Sequence, residues 1–157
     1  MKATLHLIKL IAIALLFAGT ASAQSLLTPT ELSLAHHAAD SSAVTASLAI
    51  KGYKQAYSWG NAGHKVSNWL FQTKLGEDYD FKIRKIIEPK HTITYYWISS
   101  DFYYQQFMAA ALKENYKCTG VQLIEKQLYF VFKNGDKLFY TNQERDGDNT
   151  LYTVLLQ

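Results

Sequence analysis

Apolar residues recur along this chain first at helical spacing and then at strand spacing, and the order then repeats. Residues 29–51 read as helical, with Val44, Leu48 and several alanines forming a thin apolar face suited to close approach to a sheet. Thr28-Pro29-Thr30-Glu31 predicts the start. It offers a capping hydroxyl, a proline at the first helical position and a glutamate that completes a capping box. Asp40-Ser41-Ser42 interrupts the run with three good capping residues, so one long helix and two short ones both stay open as readings. A turn follows over 58–64, with Gly60, Asn61 and Gly63. A strand at 66–73 alternates Trp69 and Phe71 against Asn68, Leu70 and Gln72. A second, at 79–87, sets Tyr79, Phe81, Ile83 and Ile87 against Lys82, Arg84 and Glu88, and Pro89 ends it. A third, at 92–99, is rich in β-branched and aromatic residues.

The helical period then returns. Ser99-Ser100-Asp101 predicts a cap, and Tyr104, Phe107, Met108, Ala111 and Leu112 fall at i, i+3, i+4, i+7 and i+8 of a helix over 102–114. A short strand at 118–124 is expected to pair with the segment after Tyr53. Strands at 127–133, with Leu128, Phe130 and Phe132 on one face, and at 137–142 flank Asn134-Gly135, a strong hairpin signal. A polar turn over 144–149 leads to a last strand at 150–156, where Thr150-Leu151-Tyr152-Thr153 echoes Thr92-Ile93-Thr94-Tyr95.

Leu48-Ala49-Ile50-Lys51-Gly52-Tyr53-Lys54 has a second version in Ala111-Leu112-Lys113-Glu114-Asn115-Tyr116-Lys117. Each reads as the last turn of a helix, a left-handed stop residue, and Tyr-Lys entering a strand. The expectation is an α+β domain of two layers. Two tandem helix-then-antiparallel-strands repeats, about 28–98 and 99–157, form a sheet with helices on one face. This layout is similar to that of the secreted β-lactamase inhibitory proteins. The resemblance is one of architecture. Those proteins hold disulfides, and the single cysteine here, Cys118, cannot form one within the chain.

The N-terminal residues change the picture of where this domain works. Lys2 and Lys9, an apolar run over 10–18 and Ala21-Ser22-Ala23 have the layout of a secretory signal peptide, residues 1–23. The run is too short to cross a bilayer. The domain at 24–157 is thus expected to be exported, periplasmic or secreted, with no membrane span. Cleavage removes two of the 16 basic residues and sets the rest against 13 acidic ones. That near balance gives no electrostatic case for binding nucleic acid.

Motifs for chemistry are sparse. Gly60-Asn61-Ala62-Gly63 lacks the spacing and the lysine of a phosphate loop, and no serine sits in a nucleophile elbow. Cys118 follows a helix C-terminus, whose partial negative charge disfavours a thiolate, and reads as a buried small residue. Glu77, Asp78 and Asp80 cluster at a turn but supply too few oxygens for calcium. His36 and Asp40 share a helix face at i, i+4. With His37, and with His64 or His91, they form a metal-like constellation that would suit a small metal-dependent hydrolase. The main expectation is no metal, no cofactor and no enzyme.

The distinctive feature is 11 Tyr and 3 Trp, most of which read as core and cross-strand pairs. Alternation puts Lys82 and Arg84 on one strand, and Tyr129, Val131 and Lys133 on another, on the sheet face away from the helices. Tyr96 and Thr94 join them if the third strand turns that way. Tyr and Arg are residues that interfaces favour. The expected function is an exported non-catalytic binding or inhibitor-like module. It would grip a protein, a peptide or a glycan of the envelope through Lys82, Arg84, Tyr96, Tyr129 and Lys133. The alternatives are the hydrolase above and an envelope protein that self-associates through edge strands.

Overall fold

The computed structural model describes residues 25–61, 63–72, 79–146 and 149–157. The expected signal peptide, and Glu77 and Asp78 of the acidic turn, lie outside the described residues. Among those described, the chain forms helices α1 (Pro29–His37), α2 (Ser41–Ile50) and α3 (Asp101–Lys113). Its strands are β1 (Lys54–Asn61), β2 (His64–Phe71), β3 (Phe81–Ile87), β4 (Thr92–Ile98), β5 (Lys117–Ile124), β6 (Gln127–Asn134), β7 (Lys137–Asp146) and β8 (Asn149–Leu156). All eight strands belong to one antiparallel sheet, in the order β1-β2-β3-β4-β8-β7-β6-β5, so the fold is α+β. Among the described residues no helix is long and apolar enough to cross a membrane.

Local chemistry explains the helix boundaries. The Thr28 hydroxyl accepts from the Glu31 backbone N–H, and the Glu31 carboxylate accepts from the Thr28 N–H at 2.8 Å, closing a capping box ahead of Pro29. The chain does break at Asp40. Its carboxylate accepts from the Ser42 N–H at 2.9 Å and starts α2, so two short helices replace the single long one. α2 and α3 stop alike. Gly52 (φ +85) and Asn115 (φ +62) are left-handed, and the Tyr53 and Tyr116 N–H groups donate back to the Leu48 and Ala111 carbonyls. Ser100 stands at the N-cap of α3 without a side-chain capping bond, while the Asp101 carboxylate accepts from the Tyr152 hydroxyl.

The expected pairing of 118–124 with the segment after Tyr53 does not form. β5 pairs with β6 and β1 with β2, through tight hairpins, and β1 and β5 end as opposite edges of the sheet. A hairpin partner joined by a two-residue turn closes at little entropic cost, whereas a strand more than fifty residues away does not. Each edge strand carries a bulge, between Gln55 and Tyr57 in β1 and between Cys118 and Gly120 in β5. Cys118 itself is exposed rather than buried, because β5 is an edge.

One face of the sheet meets the helices. Leu32 and Ala35 of α1, Val44 and Leu48 of α2, and Phe107 and Ala111 of α3 pack with Trp69, Phe81, Ile83, Tyr96, Ile98, Phe139 and Val154. These sheet residues share one parity along their strands, as period-2 alternation requires. Burying each such side chain contributes about 1.5–3 kcal/mol. Lys85 shares that parity, and its ammonium donates to the Ala35 carbonyl at 2.7 Å and to the Ala38 carbonyl. The cation thus caps the negative end of α1. Burial pulls its pKa down to about 8.

Candidate binding face

The strand registers fix what the other face presents. Across it run Tyr57, Asn68, Arg84, Tyr95, Leu155, Tyr140 and Val131, each directly opposite the next. A second row runs Leu70, Lys82, Trp97, Thr153, Asn142. The β3–β4 hairpin sets Arg84 opposite Tyr95 and Lys82 opposite Trp97, so two cations lie beside two rings.

These four side chains form one cluster. The Tyr95 and Trp97 rings stack with centroids 5.3 Å apart and planes within 6°. The Lys82 ammonium sits 5.0 Å from the Trp97 centroid and 5.5 Å from that of Tyr79, and the Arg84 guanidinium sits 5.7 Å from Trp97. Such distances lie within cation–π range, worth about 0.5–1 kcal/mol each where water reaches them. Arg84 is held further by its Nε donating to the Asn68 Oδ1 at 2.9 Å and its Nη2 donating to the Tyr57 hydroxyl at 3.0 Å. Asn68 is fully buried, which makes it a rigid support for the guanidinium. Tyr57 and Trp59 extend the surface outward along β1, with Trp59 57% exposed and packed on the His64 ring.

On the far side of the face the character changes. Tyr129, Val131, Tyr140 and Leu155 are buried together, with Ile93, Tyr95, Ile124 and Leu138 around them. Burial pushes the Tyr129 hydroxyl pKa up, and Tyr95, Glu144 and Glu125 add to the shift. Tyr95 is likewise raised by burial and by Glu125, against the pull of Arg84. Tyr95 and Tyr129 stand three strands apart, about 14 Å on a flat sheet. Tyr95 nonetheless packs against the buried cluster that holds Tyr129.

Of the residues the sequence nominated, Lys82 and Arg84 come together here. Tyr129 lies on the same face but inside its buried cluster, donating from its hydroxyl to the Gln127 Oε1 at 3.2 Å. Lys133 is exposed on this face, opposite Leu138 and Lys117 at the β5–β6 end, away from the cation–aromatic cluster. Tyr96 is not on this face. It points to the helices, is fully buried, accepts from the Leu27 N–H and shares a hydroxyl contact with Tyr53. Thr94 goes with it, meeting the His36 Nδ1 at 3.0 Å. Trp97, Tyr95, Tyr57 and Asn68 were not nominated. Counting register outward across the hairpin at 88–91 pairs Arg84 with Tyr95 and would have found two of them.

The histidine constellation does not assemble. His36 is buried against Thr94, and burial, then His37 and Lys85, lower its pKa to about 4. Asp40 is used as a helix cap, and His64 and His91 flank the Glu88 carboxylate, each at 3.2 Å. Among the described residues no three His, Cys, Asp or Glu side chains converge as a metal site. No family model matches the chain, and no curated protein or solved structure matches it.

Proposed function

We propose that this protein is an exported, non-catalytic binding module. Its working surface is the helix-free sheet face around Lys82, Arg84, Tyr95 and Trp97, with Tyr57 and Trp59 as its outer flank. The partner is an envelope protein, peptide or glycan. The observation that carries the reading is the pair of cations lying over the Trp97 ring, half-exposed, on the sheet face opposite the described helices. Aromatic and guanidinium groups held rigid before contact lose little entropy on binding. Arg84 has its amide and phenol contacts in the free protein and still keeps guanidinium N–H groups for a partner.

The same reading takes the domain at 24–157 as two layers built from two tandem units, about 28–98 and 99–157, behind a signal peptide at 1–23. Adding 63 to the bounds of β1 and β2 returns those of β5 and β6. The same shift carries the β1 bulge onto the β5 bulge and Gly52 onto Asn115. These coincidences support duplication, with Tyr96 and Val154 meeting at the join between the halves.

Affinity capture tests the function. The purified protein is exposed to envelope and secreted fractions of the source cells beside a Lys82→Ala, Arg84→Ala variant. A partner retained by the wild type and lost by the variant, which still unfolds in one cooperative transition, is the expected result. A partner held equally by both counts against this surface.

A further inference from the structure

The β5–β6 ribbon carries a patch that neither the core nor the proposed binding face uses. Val121 is 57% exposed, Leu123 65%, Leu128 67% and Phe130 55%. The β5–β6 register sets Val121 opposite Phe130 and Leu123 opposite Leu128, so the four form one block. By alternation the block lies on the helix side of the sheet, the face of Phe132 and Phe139. It borders β5, whose outer edge has no neighbouring strand among the described residues. The ribbon is stiff, because Glu125 (φ +49) and Lys126 (φ +70) close it in a two-residue left-handed turn.

We propose that this edge pairs with the same edge of a second copy of the chain, giving a two-fold dimer whose sheet runs through both subunits. The bulge between Cys118 and Gly120 leaves Gly120 to Ile124 as the regular part of the edge. Antiparallel pairing of that segment with its own copy centres on Gln122. Val121 then faces Leu123 of the second copy, and Leu123 faces Val121. The block extends across the dyad as two rows of four apolar side chains, Phe130-Val121-Leu123-Leu128 in one direction and the reverse in the other. No like charges oppose one another in this register: Glu125 meets Thr119, and Lys117 meets Gln127. An edge whose own sequence matches apolar to apolar about a two-fold centre fits an isologous contact. A foreign strand would need to supply the same spacing independently.

Sedimentation analysis of the purified protein from about 1 to 200 µM, the range of a weak dimer, is the first arm. The mass should rise from monomer toward dimer, and a Leu123→Asp variant with the same melting temperature should stay monomeric. The second arm tests register by disulfide formation. In a Cys118→Ala background, Gln122→Cys brings two thiols together across the dyad and should give a reducible dimer under mild oxidation, while Lys137→Cys, exposed elsewhere, should not. A wild type that stays monomeric throughout overturns the proposal. So does association untouched by Leu123→Asp, or cross-linking that is as efficient from position 137 as from 122.

Discussion

The two ends of the sheet are built alike and dressed in opposite ways. β1–β2 and β5–β6 are hairpin ribbons of equal length, each with a bulge at the start of its edge strand. On β1–β2 the exposed rings, Tyr57 and Trp59, point to the helix-free face, and the helix-side positions beyond the bulge are Ser58, Gly60, Lys65 and Ser67. On β5–β6 the corresponding helix-side positions are Val121, Leu123, Leu128 and Phe130, all exposed, while Tyr129 and Val131 are buried on the helix-free face. The difference follows from the helices. α2 packs on β1 and β2, α1 on β4, and α3 on β4 and β8, so the outer part of β5–β6 lies beyond them. Alternation decides which side chains share a face, and the neighbours decide whether that face is core, binding surface or interface.

The sharpest test of the two faces uses adjacent residues. Tyr96→Ala empties a fully buried site on the helix side and removes contacts to Leu27 and Tyr53. It should cost about 3–5 kcal/mol in chemical denaturation. Trp97→Ala, one position along, should cost only about 1 kcal/mol and instead abolish capture of the partner. Equal stability losses at both positions would erase the distinction between the faces.

Next in size is a test of the two ends. A Cβ at Gly60, where φ is +145, would lie 2.1 Å from the His64 carbonyl oxygen and 2.7 Å from the Lys65 Cα, both backbone atoms that cannot step aside cheaply. Gly60→Ala should therefore cost about 2–4 kcal/mol and disturb β1–β2. Gly120, in the other ribbon, has φ +153 but nothing within 4 Å of such a Cβ. Gly120→Ala should cost about 1 kcal/mol. Thermal melts of the two variants, with β1–β2 amide exchange as the local readout, check the ranking.

A smaller effect separates the faces by pH. His36 binds its proton near pH 4 when folded, against about 6.5 when unfolded. Between these values the unfolded chain holds more protons, so stability falls as pH drops from about 6.5 toward 4 and is unaffected above that window. Solvent screening brings the expected loss to about 1–2 kcal/mol. His36→Asn should flatten that part of the pH profile; a profile unchanged by the substitution would remove His36 from the helix-side core. Smallest of all, Tyr57→Phe keeps the ring and removes one contact to Arg84. Melting should register about 0.5 kcal/mol or less, with the effect appearing in partner affinity.

The sequence made the elements legible where chemistry is local. The Thr28 capping box, the Asp40 break, the stops at Gly52 and Asn115 and the alternation in β3 all depend on residues a few positions apart. What it left open depended on distant neighbours. Tyr95-Tyr96-Trp97 is aromatic on both parities, so composition could not say which ring faced the helices; burial by Phe107 and Phe81 decides for Tyr96. Alternation does not specify which strands pair, so the expected pairing of 118–124 with the segment after Tyr53 does not form. β1 and β5 pair instead with their hairpin neighbours and lie at opposite edges of the sheet. His36 and Asp40 looked alike as ligands at i, i+4, but the helix ended between them and gave each a different task.

The central claim is that the helix-free face, and not the helical one, meets the partner. Photo-cross-linking in the source cells tests it most directly. A benzophenone amino acid is installed at Tyr57, exposed on the helix-free face, and separately at Leu112, which is 65% exposed on α3. An adduct with a second protein from position 57 and none from position 112 is the predicted result. Adducts from position 112 alone would contradict it and move the working surface to the helices.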